Sequence, residues 1–300
     1  MTCWYPDLAD KALNGLYAQI WPSLTKFFEG AGYLPDWDIA LMRVAYNLEP
    51  ALLHPALLIE RVPYTRPGSF LERMMATVQR GWLYEENEKF GLTAPGREII
   101  EGMYELGDRL QAKVTALTQP EMGYLLSLFN RVIGQIKRLS DPERKPAFKL
   151  SLLFDRGSFT VPLVQVHQQI LVTLAFREDA YMAAWHPYEA DGQLWEAFTL
   201  IWQEQACNAA ELAQCLPHRN YTESDYTSAL EKLTARGWIT SSGSRFIAQE
   251  QATRMYLDVE ETTNRMFNTA FASLSRTEMG DFHHLLEKLA LMVTPKKKTE

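Results

Sequence analysis

The chain has 300 residues, 47% hydrophobic and 22% charged, with a formal net charge of −7. This is ordinary globular composition, long enough for two domains of roughly 150 residues each. The acidic balance argues against a generally basic nucleic-acid-binding surface, although a local basic face can exist on an acidic protein. Three cysteines, Cys3, Cys207 and Cys215, have neither disulfide-framework nor zinc-site spacing and read as free thiols in a reducing compartment. The N-terminal residues lack a basic stretch followed by an apolar one, so no signal peptide is expected. No uncharged apolar run approaches the roughly 18 residues of a membrane span. A cytoplasmic protein without a membrane partner is expected.

In chain order, apolar periodicity predicts a first helix over 9–30 and a second over 36–48. A short third helix over 54–62 has Pro55 in its first turn and His54 as its cap. A fourth over 66–80 sets Met74, Val78 and Trp82 four apart on one face. Gly81 then stops the helix, Trp82 and Leu83 open a short strand, and residues 84–92 close a hairpin. A long helix follows, with Ile99, Met103, Leu106, Leu110, Val114 and Leu117 forming a coiled-coil-like seam. A last helix begins at Glu121.

The same order then restarts. Arg80-Gly81-Trp82 recurs as Arg236-Gly237-Trp238, Pro63 as Pro217, Tyr64-Thr65 as Tyr221-Thr222, Trp37 as Trp195, and 117–123 as 274–280. Five anchors in one order, at a nearly constant offset, mark an internal repeat. The second copy has helices over 162–185, 193–206, 208–216 and 223–236. Asn208 with Glu211 makes a capping-box spacing, and Thr222 is the cap of the fourth helix. Residues 240–248 form the second hairpin, and the seam is expected on Met255, Val259, Thr262, Met266 and Ala270. The domain reading is a first half over 1–140, a linker over 141–160, a second half over 161–292 and a flexible basic tail over 293–300. Phe148, Leu150, Leu152 and Leu153 are the linker residues able to pack on the domain.

Helix, helix, short helix, turn, helix, hairpin, long helix, helix resembles the MarR family of bacterial regulators. The matching stretches are "LHPALLIERV" through "RGWLYEENEKFGLTAPGREIIEGMYELGDRL", then "NAAELAQCL" and "TSALEKLTARGWI". The resemblance implies a mainly α fold. Two winged helix-turn-helix domains with small β-hairpin wings would be joined by long MarR-like dimerisation helices. Because such proteins are homodimers, it further implies a pseudo-dimer within one polypeptide, and hence a monomer.

It also implies double-stranded DNA as partner, read by the N-terminal residues of the fourth helix of each half. These are Arg66, Ser69 and Arg73 in the first half. In the second they are Thr222, Ser224, Tyr226, Ser228 and Lys232, with Arg245 on the wing. The charge pattern departs from the family. Over 66–90, Arg66, Arg73, Arg80 and Lys89 are matched one for one by Glu72, Glu85, Glu86 and Glu88. Over 219–246, Arg219, Lys232, Arg236 and Arg245 stand against Glu223, Asp225 and Glu231. Such faces neutralise little phosphate, which supplies much of the affinity of DNA binders.

Small ligands of the family, often aromatic, sit between the dimerisation helices and the winged helix. By resemblance Tyr17, Trp21 and Trp37, or Trp185 and Trp195, would line such a site, although tryptophans also pack cores. His167 lies on an apolar helix, as a satisfied core histidine does. His283-His284 with Asp281 cannot chelate readily, because adjacent helical residues point about 100° apart. No phosphate loop, paired catalytic carboxylates, Ser-His-Asp set, metal site or cofactor motif is present. The leading expectation is therefore a non-enzymatic, DNA-binding transcriptional regulator that responds to a small ligand. The alternative is a tandem winged-helix pseudo-dimer without DNA binding, serving as a small-ligand-binding or protein-interaction module. An enzyme with a site in the interdomain cleft is third.

Overall fold

The computed structural model describes residues 4–32, 37–154 and 161–293. The first set of elements is α1 (Tyr5–Gly30), α2 (Trp37–Leu48), α3 (Pro55–Arg61), α4 (Ser69–Gln79), β1 (Leu83–Glu86), β2 (Lys89–Leu92), α5 (Ala94–Gln111) and α6 (Gln119–Arg138). After α7 (Pro146–Leu152) come α8 (Pro162–Trp185), α9 (Gly192–Trp202), α10 (Ala209–Cys215), α11 (Glu223–Ala235), β3 (Ile239–Ser242), β4 (Arg245–Ala248), α12 (Glu250–Asn268) and α13 (Arg276–Val293). The chain is mainly helical with two small antiparallel hairpins, and residues 5–138 and 162–293 share one element order.

Local chemistry explains most boundaries. His54 Nδ1 accepts from the Ala56 N–H at 3.1 Å and caps α3, while Asn208 Oδ1 accepts from Glu211 N at 2.9 Å and caps α10. Thr118 with Glu121, Thr222 with Asp225 and Ser275 with Glu278 make reciprocal capping boxes at the starts of α6, α11 and α13. Gly81 and Gly237 take φ of +81° and +69° just past α4 and α11, where a side chain would be strained. The arginines of the repeated triplet act as straps. Arg80 pairs with the buried Asp38 at the start of α2, and Arg236 donates to the carbonyls of Tyr188 and Glu189 just ahead of α9. Trp82 and Trp238 hold matching backbone bonds. Their N–H groups donate to Thr77 O and Leu233 O, and their carbonyls accept from Thr93 N and Gln249 N.

Three hydrophobic cores result. A central one joins α1, α6, α8 and α13 around Tyr5, Phe129, Phe267, Phe271 and Phe282, with the Phe129 and Phe282 rings edge-to-face at 4.8 Å. Two satellite cores lie under the hairpins, around Phe28, Phe70 and Phe90 and around Trp195, Phe198 and Tyr226. The central packing is reciprocal: α1 lies on α13 and α8 lies on α6. Gly15 lets α1 approach the end of α13, since a Cβ there would stand 2.6 Å from Val293 Cγ2. Ion pairs follow the same exchange. Arg131 of α6 binds Glu278 of α13, and Lys288 of α13 binds Glu121 of α6 at 2.6 Å. Between them Tyr124 donates to Asp281 at 3.0 Å.

Several boundaries differ from expectation. Helix α5 ends at Gln111, so Val114 and Leu117 lie beyond it. In α12 the buried row is Ala252, Tyr256, Val259, Thr263 and Phe267. Met255, Thr262 and Met266 are only half-buried, because the larger rings of Tyr256 and Phe267 turn the adjacent row inward. The segment 141–160 contains α7, with Ala147, Phe148 and Leu150 buried; residues 155–160 lie outside the described residues. Val293, placed at the start of the expected tail, is fully buried as the last residue of α13; residues 294–300 lie outside the described residues.

Candidate functional site

The N-terminal end of α4 meets the second half of the chain. Arg66 N donates to Arg219 O at 3.0 Å, and Arg66 Nε to Asn220 O at 2.9 Å. Arg73 Nη2 donates to His218 O at 2.8 Å and to Asn220 Oδ1 at 3.1 Å. Asn220 Nδ2 in turn donates to Ser69 Oγ at 2.6 Å, and Ser69 is fully buried. The clasping segment, 217–220, is the turn just ahead of α11. It can hold this shape because Asn220, at φ +60°, is a residue type that tolerates the left-handed region. Arg219 is itself fixed by a bidentate pair with Glu196. Arg66, Ser69 and Arg73, expected at base edges, therefore bond across to the other half of the same chain, while Arg66 Nη2 also pairs with Glu72 of α4.

The equivalent end of α11 is open. Thr222 accepts from Asp225 N as the cap, and Ser224, Thr227, Ser228, Glu231 and Lys232 are exposed. Ser228 donates back to Ser224 O at 3.2 Å. Tyr226 is 1% exposed and sits in the satellite core, which corrects its placement on a DNA-reading face. A helix position four before Leu230 on the buried row faces inward. Arg245 is exposed on β4. On the other hairpin Tyr84, Glu85, Glu86, Glu88 and Lys89 are exposed, leaving an acidic tip.

A cavity of about 220 Å³ lies between α1, α2, α5 and α8. Tyr17 and Trp21 line it, together with Ile20, Leu24, Phe154 and Leu171. Trp37 opens α2, but its side chain lies outside the described residues. Trp185 and Trp195 pack in the second satellite core, and Trp195 also borders a second cleft. They are 4% and 0% exposed, stack at 5.9 Å, and donate to Tyr64 Oη and Tyr181 Oη. A buried indole N–H needs such a partner, and these two have one.

The cavity also holds Arg43 and His167, which the sequence reading did not assign to a site. The Arg43 guanidinium stands 5.1 Å from the Phe154 ring centre and 6.0 Å from that of Tyr104. Its Nε is buried without a hydrogen-bond partner among the described residues. His167 Nε2 lies 3.2 Å from Tyr17 Oη. Burial, and then the Arg43 charge, push the His167 pKa down to about 4, so the ring is neutral near pH 7. Burial raises the Tyr17 pKa and Arg43 partly offsets it. Among the described residues, the arrangement sets the Arg43 cation, with Asp108 also on the lining, inside a mainly apolar, aromatic wall. A signal for Arg43 exists in the sequence: it falls on the Ile39 row of α2, where an apolar residue belongs.

Among the described residues, no group of three or more His, Cys, Asp or Glu is placed to hold a metal ion. Nor is any helix there long and apolar enough to cross a membrane. A mainly helical fold with a short helix, turn and helix ahead of each hairpin defines the helix-turn-helix class for the second half. Residues 161–299, just under half of the chain, match the model of a helix-turn-helix family. No curated protein and no solved structure matches the chain.

Proposed function

We propose that the chain is a tandem winged-helix pseudo-dimer of MarR-like build that binds a small ligand and does not hold DNA with both halves. The clasp on α4 carries this reading. Residues 217–220 of one half touch Arg66, Ser69 and Arg73 of the other, so the two turns abut. Reading successive major grooves needs recognition helices about 34 Å apart and free at their N-termini. The acidic hairpin tip adds repulsion where phosphate contacts are needed. The exchanged pairs Arg131–Glu278 and Lys288–Glu121 support an isologous interface folded into one chain, in which each contact occurs twice. Such an interface fits a monomer.

The ligand chemistry follows from the Arg43 cavity. A small aromatic or apolar molecule with one negative group would pair with the guanidinium and fill the space beside Tyr17 and Trp21. No catalytic role is assigned to these side chains.

A second reading is DNA binding through α11 alone, favoured by the family match and by the open Ser224, Ser228 and Lys232. One experiment separates the two. Random duplex DNA is titrated against the full chain at low salt, and 2-naphthoate is titrated in parallel through Trp fluorescence. The expected result is no duplex binding, with naphthoate quenching that Arg43→Gln weakens about tenfold. Salt-dependent duplex binding that is lost in a Lys232→Glu, Arg245→Glu variant would establish the second reading instead.

A further inference from the structure

A second cleft, about 410 Å³, lies on the seam between the halves. The first half supplies Arg61, Val62 and Tyr64, and the second supplies Glu178, Tyr181, Met182, Glu196, Thr199 and Arg219. Two ion pairs stand in it, and they differ. Arg219 and Glu196 are bidentate at 2.6 and 2.9 Å, and both side chains are largely covered. Arg61 and Glu178 make one contact at 3.5 Å, at the outer limit of a hydrogen bond. Arg61 Nε is buried without a hydrogen-bond partner among the described residues. Glu178 opens to the cleft, yet surrounding protein raises its pKa; Arg61 and then Arg219 only partly offset this. Arg61 and Glu178 are therefore a cation and an anion from opposite halves, each with unused hydrogen-bonding capacity. Val62, Tyr64, Tyr181 and Met182 form the apolar wall beside them.

This arrangement selects by charge. A monoanion on Arg61 would draw it from Glu178 and complete only one of the two charges. A monocation on Glu178 would likewise leave the Arg61 guanidinium without its partner. The pair is long and half-open, with side chains 34% and 56% exposed, so parting it costs little. A molecule with both charges can enter between the two and complete both. Its carboxylate takes the fork of Arg61 and its ammonium takes Glu178.

We propose that the seam cleft binds a zwitterionic small molecule, an α-amino acid with an apolar side chain, between Arg61 and Glu178. The apolar wall receives the side chain. Because the two charges come from different halves, occupancy ties α3 to α8 across the seam. The site is separate from the Arg43 cavity and does not depend on that reading.

The test uses the full chain and isothermal titration with L-phenylalanine, 3-phenylpropionate and phenethylamine, which share a phenylethyl frame and carry both charged groups, the carboxylate alone and the ammonium alone. L-Phenylalanine, or L-methionine or L-leucine in its place, is expected to bind at least about tenfold more tightly than either single-charge analogue. Glu178→Gln should weaken the amino acid about tenfold and raise the affinity for 3-phenylpropionate, by releasing Arg61. Arg61→Gln should do the converse for phenethylamine. A merely structural role for the pair would not invert selectivity, and melting curves confirm that the variants fold. Arg43→Gln should leave amino-acid binding unchanged. The proposal is overturned if none of the three amino acids binds up to about 10 mM. It is equally overturned if the anion binds as well as the amino acid, or if Arg43→Gln abolishes binding.

Discussion

Helices α4 and α11 hold the same place in the element order, yet their N-terminal ends meet opposite surroundings. The first is clasped by His218, Arg219 and Asn220; the second is capped by Thr222 and faces solvent. The two halves thus carry the same local structure and divide its uses. One end becomes part of the seam, and the other keeps an open face. A further asymmetry supports this. Helix α7 packs on α3 and α8, beneath the first half. Its N-terminus is held by the buried Asp179, whose oxygens accept from Ala147 N and Phe148 N at 2.9 and 2.8 Å.

The strongest way to break the contrast is at Gly192, where α9 starts. A Cβ there would lie 2.3 Å from Pro63 O, which belongs to the turn ahead of α4. Gly192→Ala should cost about 3 kcal/mol in urea denaturation, since backbone must move to admit it. A cost under about 0.5 kcal/mol would mean that the seam is looser than described.

Paired truncations sharpen the comparison. Arg73→Ala leaves His218 O and Asn220 Oδ1 short of a donor and should cost about 2 kcal/mol. Ser228→Ala, on the open face of α11, should stay within about 0.5 kcal/mol. Equal losses at the two sites would remove the distinction. Thr222→Ala should cost about 1 kcal/mol through its cap alone.

The last expected effect is a slope with pH, in which two groups oppose each other. Burial raises the Asp179 pKa to about 7 from 3.8, against the two backbone hydrogen bonds that lower it. The folded state then holds a proton that the unfolded state releases. This stability is present below about pH 4 and is lost as pH rises through about 7. His167 acts oppositely, its lowered pKa favouring the fold as pH rises from about 4 to 6.5. Asp179→Asn should therefore lose stability less between about pH 4 and 7 than wild type does. Identical slopes in urea titrations would show that Asp179 does not hold its proton.

Most helices were legible because their signals are local. Caps at His54, Asn208 and Thr222, glycine stops at Gly81 and Gly237, and the apolar row of α4 each act within a few residues. The seam of α12 was not, because two adjacent rows carry nearly equal hydrophobicity and the neighbour chooses between them. Tyr17 and Trp21 were reached by resemblance and do border a cavity. Arg43, Arg61 and Glu178 were passed over, since a lone charge on a helix most often faces water.

The amino-acid order determined the elements, their order and the triplet Arg-Gly-Trp that ends each fourth helix, because capping, periodicity and glycine conformation are properties of neighbours in the chain. Only the tertiary structure decided which of two similar helices stays open. Arg66 and Asn220 are 154 positions apart, and nothing local sets their approach. Burial at the seam converts residues suited to grasping phosphate into partners for backbone carbonyls, and that exchange depends on how the halves pack.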